Sequence, residues 1–312
     1  MLKENGIKKK ILALKKKRNA LILAHNYERP EIQDIADYTG DSLELSLIAA
    51  KSENPVIVFC GVRFMAETAA ILCPHKTILL PVPESGCALA DMATSDQIKA
   101  AKKKYPGALV VSYVNTSADV KAESHFCCTS ANAVDVRKAI GPDRPVIFLP
   151  DKNLGAYVKT QTVGRTILWD GFCPVHEMLT AADVLNAKHK HPKAKVIAHP
   201  ECRPDVLALA DYIGGTAGML KYVRTPGAGK FFNVATELGL IHRLRKENPN
   251  KSFYSASDYL ICAAMKLITL EDVRRSLKKM QYVVKISSVI KKKAKKSIER
   301  MLNLQSRDLS RI

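Results

Sequence analysis

The sequence predicts an α/β protein built as three pseudo-symmetric three-layer αβα sandwich domains packed around a shared centre. Three observations carry this expectation. The chain repeats with a period near 87 residues, each repeat alternates short apolar runs with segments of helical periodicity, and those runs lack polar alternation. Strands covered on both faces lose that alternation, which marks parallel sheets sandwiched between helices. A domain of about 87 residues buries too little surface to be robust alone. Tight packing of the three is therefore expected.

The expected division is 1–104, with a basic N-terminal helix, then 105–190, then 191–312 with a basic C-terminal helical segment. The thirds open on LILAHNY (21–27), LVVSYVN (109–115) and KVIAHPE (195–201), which aligns His25 with Tyr113 and His199, and Tyr27 with Asn115 and Glu201, at steps of 88 and 86. The same steps relate Ser42, Ser130 and Thr216, small hydroxyl residues where a turn enters an apolar-periodic segment, so helix N-termini are expected there. Second strands are expected at VIVFC (56–60), VIFLP (146–150) and FFNVA (231–235), and third strands at TILLP (77–81), TILWD (166–170) and SFYSA (252–256). Each third thus reads as strand, helix, strand, helix, strand.

The formal charge of +19 on 312 residues is concentrated at the ends: residues 1–18 contribute +7 and residues 271–312 contribute +9. The C-terminal excess lies on an expected amphipathic helix with Ile290, Ala294, Ile298 and Met301 at helical spacing. A solvated lysine face is favoured over a nucleic-acid surface, because aromatic residues for base stacking are not interleaved with the charges. Apolar runs of about seven residues fall far short of the ~20 needed to span a bilayer, so no membrane segment is expected. The N-terminus has no long apolar stretch and no small-residue cleavage site, and a cytoplasmic location is expected.

Of eight cysteines, three keep the period: Cys87, Cys173 and Cys262, at steps of 86 and 89. Each precedes by seven residues a threonine that starts a capping-box pattern: Thr94 with Gln97, Thr180 with Asp183, Thr269 with Asp272. The trio is therefore expected in loops that follow third strands, on the carboxyl edge where parallel sheets place ligands. Around a pseudo-three-fold axis the three thiols would converge. Soft thiolates suit zinc or an iron–sulphur cluster, and three of them leave one metal position open. Cys60, Cys73, Cys127, Cys128 and Cys202 are expected to behave as small buried hydrophobes.

Ten ordered motifs, LAHNY, GDSLELS, PESGCALADM, SYVNTSADVKAES, CTSANA, PDKNLG, WDGFCPVHE, AHPEC, GGTAGM and CAAMK, resemble the quinolinate synthase (NadA) family between about residues 20 and 302. The resemblance implies a central active site at the junction of three αβα domains and a [4Fe-4S] cluster held by Cys87, Cys173 and Cys262. It implies a transferase-type condensation in NAD biosynthesis, iminoaspartate with dihydroxyacetone phosphate giving quinolinate, phosphate and two waters, with the open iron as Lewis acid. An upstream L-aspartate oxidase or dehydrogenase would supply iminoaspartate. Matching family positions, Glu201, Tyr27, Tyr113 and His199 are the expected catalytic residues, with Glu201 as general acid/base. His25, Ser42, Asn115, Ser130 and Thr216 are expected to bind substrate, the hydroxyl residues at helix starts suiting anions. His176, in CPVHE, stands outside this set.

Two positions depart from the family pattern: Gly215 where a serine commonly precedes the threonine, and Ile268 where asparagine is frequent. Neither touches an expected ligand or acid/base residue. A zinc-dependent aldolase or hydrolase using the same three cysteines is the alternative reading.

Overall fold

The computed structural model describes residues 2–308. Its strands form three all-parallel sheets of four. The first contains β1 (Ala20–His25), β2 (Tyr38–Gly40), β3 (Val56–Cys60) and β4 (Thr77–Leu79), in spatial order β2-β1-β3-β4. The second contains β5 (Leu109–Tyr113), β6 (Phe126–Cys128), β7 (Val146–Leu149) and β8 (Thr166–Leu168), and the third β9 (Lys195–Ala198), β10 (Tyr212–Ile213), β11 (Phe231–Ala235) and β12 (Ser252–Ser255), each in the corresponding order. With helices interleaved between the strands, this is the α/β architecture expected.

The central strands explain why the runs read as uniformly apolar. Every residue of β1 and β3 is buried. The expected three strands per repeat become four, because β2, β6 and β10 are only two or three residues long. Such short, partly exposed edge strands leave no apolar run to read; Tyr38 of β2 is 50% exposed.

By compactness the chain divides into Met1–Cys87 with Cys262–Ser288, and Ala88–Ile261 with Val289–Ile312. The former holds the first sheet, the latter the second and third. In the first unit, Ile11 of the Leu2–Arg18 helix is buried, with Ile7 and Leu14 packed beside it. That stripe at helical spacing leaves the lysines facing outward. Leu270, Val273 and Leu277 of the Leu270–Lys279 helix complete the same core, each worth about 1.5–3 kcal/mol on burial. In the second unit, Ile98 of the Ser95–Lys104 helix packs with Val110, Ile147 and Leu149 of the second sheet, and the Ala181–Lys190 helix lies against β11. Each helix that follows the last strand of one sheet therefore covers the next sheet, and the last covers the first. The C-terminal helix, Ser288–Asp308, buries Ala294, Ile298 and Met301 as expected; in the second unit its Ser297 donates to the Lys121 carbonyl at 2.8 Å.

The repeat extends to individual hydrogen bonds. Asp37 Oδ2 accepts the Ile22 N–H at 2.8 Å, Asp211 Oδ2 accepts the Val196 N–H at 2.7 Å, and His125 Nδ1 accepts the Val110 N–H at 2.8 Å. One side-chain acceptor thus ties each first strand to the chain approaching the edge strand, and a histidine does in the second sheet what aspartate does in the others.

Candidate functional site

In each sheet the chain leaves the first strand, visits the edge, and returns to the other side. Ligands of open parallel sheets bind at the carboxyl ends beside such a reversal. His25 ends β1, Tyr113 ends β5, and His199 follows β9 directly. All three are buried, whereas Tyr27 and Asn115, two residues further on, are half-buried. Local geometry is shared: the Tyr27 N–H donates to His25 Nδ1 at 3.1 Å and the Glu201 N–H to His199 Nδ1 at 3.3 Å. Asn115 Oδ1 is a buried oxygen with no hydrogen-bond partner among the described residues.

The turns that carry these residues are clamped from below. Gln33 Nε2 donates to the carbonyls of Asn26 and Glu28, at 3.2 and 2.8 Å, on either side of Tyr27. Lys121, 88 residues later, donates from its buried ammonium to the carbonyls of Val114 at 2.7 Å and of Thr116, on either side of Asn115. Both nitrogens satisfy carbonyls that a tight turn would leave unpaired.

Ser42 and Thr216 occupy the first positions of the Ser42–Lys51 and Thr216–Arg224 helices. Ser130 does not start a helix. The Ala133–Ile140 helix begins three residues later, because the turn is closed by Asn132, whose Oδ1 accepts the Thr129 N–H at 2.6 Å. Gly215 has a spatial reason: a Cβ there would lie 2.5 Å from Ser130 Oγ. The Ser130 hydroxyl fills the space where a side chain at 215 would begin. Ile268, the other departure, is fully buried in the first unit's core.

In the second unit, Glu201 is 3% exposed and its Oε2 lies 3.0 Å from His176 Nδ1 and 3.2 Å from His199 Nδ1. The two imidazoles stack with centroids 4.7 Å apart, and His176 Nε2 shares a 2.8 Å hydrogen bond with Thr236 Oγ1. Burial alone would raise the Glu201 carboxyl, but the neighbouring His199 and His176 imidazoles outweigh it and hold the group well below the usual carboxylate range. Glu201 Oε1 has no hydrogen-bond partner among the described residues. Asp151 is its counterpart: burial, then the neighbouring Glu201 charge, push that carboxyl well up. Asp151 Oδ1 caps the Lys152–Thr160 helix through the Leu154 N–H at 2.7 Å, and Oδ2 accepts the Cys173 N–H at 3.0 Å.

Cys87, Cys173 and Cys262 each stand immediately before a one-turn helix: Ala88–Asp91, Pro174–Glu177 and Ala263–Lys266. The three capping boxes downstream are all formed. Equivalent backbone bonds hold the three loops: Arg63 N–H to Ser85 carbonyl at 2.8 Å, Lys152 to Gly171 at 2.7 Å, and Leu238 to Leu260 at 2.9 Å, each accepting carbonyl lying two residues before its cysteine. These three cysteines are half-buried, while Cys60, Cys73, Cys127, Cys128 and Cys202 are buried. Burial raises all five buried thiols, which disfavours the thiolate that reacts or binds metal.

Comparison with known proteins places the chain in a family. The family described as quinolinate synthetase A protein, NadA, matches residues 9–303. The chain belongs to the NadA family. Among curated relatives, quinolinate synthase from Thermodesulfovibrio yellowstonii is 52% identical over 303 residues, covering 97% of this chain and 99% of the relative. Quinolinate synthase 1 from Methanosarcina acetivorans is 53% identical over 294 residues, covering 94% and 96%. The quinolinate synthase of Methanosarcina barkeri is 51% identical over 298 residues.

The donors of this NadA-family chain fit a metal cofactor. Half-buried thiols on three equivalently tethered loops are a soft ligand set. Separately, Cys173 Sγ, a His176 nitrogen and a Glu201 oxygen lie within 4.8 Å of one another, a group that could also hold an ion. Sequence reasoning missed His176, Asp151, Asn153 and Lys266 as site residues, although PDKNLG, CPVHE and CAAMK contain them. What marks them is hydrogen bonding to other segments, which no single motif displays. Among the described residues, no helix is long and apolar enough to cross a membrane.

Proposed function

We propose that the chain is a quinolinate synthase of NAD biosynthesis, condensing iminoaspartate with dihydroxyacetone phosphate to give quinolinate, phosphate and two waters in the cytoplasm. The sum is redox-neutral, with one C–C and one C–N linkage formed and the phosphate ester lost. Membership of the NadA family over nearly the whole chain carries this reading. Iminoaspartate would come from an L-aspartate oxidase or dehydrogenase. Cys87, Cys173 and Cys262 hold a [4Fe-4S] cluster in this proposal, and the three lobes are 1–104, 105–190 and 191–312.

The bound cluster supplies an open Lewis-acid position that stabilises negative charge on oxygen. The protein's own residues do the rest. Glu201, ionised between two imidazoles, takes a proton at one carboxylate oxygen and returns it when water leaves. His176 and Thr236 hold its carboxylate in orientation, through the 3.0 Å and 2.8 Å contacts. Tyr27 and Tyr113 hydroxyls exchange protons with enediol oxygens, and Asn115 Oδ1, with no donor among the described residues, is available to a substrate N–H or O–H. His25 and His199 bind carboxylate or phosphate, as do Ser42 and Thr216 at their helix starts and Ser130 in its turn.

Anaerobic protein should convert the two substrates to quinolinate, with iron and sulphide near four each per chain. Cys87→Ala, Cys173→Ala and Cys262→Ala should each lose iron and activity, whereas Cys73→Ala should lose neither. An active, colourless protein containing zinc would establish the aldolase or hydrolase alternative instead.

A further inference from the structure

The first unit contains a connection that the proposed chemistry does not use. The Ala263–Lys266 helix begins at Cys262 and ends at Lys266. Lys266 Nζ donates to the Tyr27 carbonyl, and Arg29 Nε donates back to the Lys266 carbonyl at 2.7 Å. With Gln33 on the carbonyls of Asn26 and Glu28, every carbonyl from 26 to 28 is held by a side-chain nitrogen. The fourth residue after a cysteine thus grips the backbone of a tyrosine 239 positions earlier. Gln33 comes from the segment that follows Tyr27 and would clamp the turn whatever Cys262 does. Lys266 and Arg29 link it to the cysteine loop.

The second unit has an analogous link. Asn153 Nδ2 donates to Glu177 Oε2 at 2.7 Å and to the Glu201 carbonyl at 3.1 Å. Glu177 ends the one-turn helix that begins after Cys173. In the first unit the turn following a candidate ligand cysteine bonds directly to the backbone of Tyr27, and in the second it reaches the backbone of Glu201 through Asn153.

We propose that Lys266 is a positioning residue whose clamp makes the order of the Tyr27 turn depend on the order of the Cys262 loop. This rests on the reading above, in which Cys262 holds the cluster and Tyr27 meets substrate. An empty ligand loop lets the one-turn helix shift, Lys266 leaves the Tyr27 carbonyl, and the turn loosens. Coupling between two sites is reciprocal, so substrate bound at Tyr27 raises the equilibrium affinity of the ligand loop for the cluster by the same factor.

The test uses anaerobic holoenzyme, chelator-stripped protein, and the variants Lys266→Met and Lys266→Arg. Amide hydrogen exchange is followed over residues 26–29, with Val56–Cys60 as an internal reference for intact packing. Stripping wild-type protein should speed exchange at 26–29 and leave 56–60 unchanged. Lys266→Met should keep its iron, show the faster exchange already in the holoenzyme, and raise KM for dihydroxyacetone phosphate about tenfold, within the range of coupled sites, with a smaller change in kcat. Lys266→Arg, which restores a donor, should return all three readouts towards wild type. Wild-type exchange at 26–29 indifferent to stripping would overturn the coupling, and so would a Lys266→Met variant that loses iron or is as protected as wild type. Exchange requires no turnover, so a protein that makes no quinolinate defeats the functional reading without deciding the clamp.

Discussion

His125 shows how one residue can be both a repeat element and an exception. It stands where Asp37 and Asp211 stand, accepting a strand N–H, but it can accept only as a neutral ring. Burial lowers its pKa, and the charges of Lys102, Arg300 and Arg144 lower it further. A histidine whose folded pKa lies below its unfolded value of about 6.5 binds its proton more readily when unfolded. Stability is then full above that value and declines as pH falls through it. Urea midpoints should therefore drop between pH 7 and 5.5 in the wild type, and His125→Asp should remove that part of the slope; equal slopes would refute this account. Glu201 gives the second prediction at this scale. Glu201→Gln should retain iron yet lose about 10²- to 10⁴-fold in turnover, the usual contribution of a positioned acid/base, measured as kcat on protein of verified iron content. Near-normal kcat would remove Glu201 from the chemistry. Glu201 and His199 were visible in the repeat alignment, whereas the role of His125 and the contact of His176 with Glu201 were not. His176 and Glu201 are 25 positions apart in sequence and meet only in space, where His176 also stacks on His199 just after β9.

At the level of single elements, the capping threonines and the cysteines were the most legible features. The box pattern is local chemistry: Thr94, Thr180 and Thr269 each accept the N–H three residues on, from Gln97, Asp183 and Asp272. Thr180→Ala should cost about 1 kcal/mol, read from the denaturant midpoint, with iron content unchanged. The edge strands β2, β6 and β10 were illegible for the opposite reason, since two or three residues outside any apolar run carry no periodicity. Cysteine reactivity follows from burial. In native protein stripped of metal, iodoacetamide should modify Cys87, Cys173 and Cys262 and spare the five buried thiols, as read by peptide mass spectrometry. Early modification of Cys60 or Cys128 would contradict the burial on which the trio's distinction rests.

For the whole molecule, the 87-residue period revealed three sheets but not the exchange of helices between them. The segment Leu270–Lys279 has the pattern of any amphipathic helix, with Leu270, Val273 and Leu277 on one side, and nothing in that pattern names the sheet it will cover. Its partner is the first sheet, where it meets Ile11, Ile22 and Val58 in one core. Ending the chain at residue 268 should therefore destabilise the first sheet, lowering the exchange protection of Val56–Cys60. The exchange also has a temporal side. A nascent polypeptide emerging from the ribosome reaches β4 nearly two hundred residues before the helix that seals the layer beneath β1 and β3 exists, so this portion waits half-covered for the rest of translation to finish. The opening segment of the protein is thus among the last to mature.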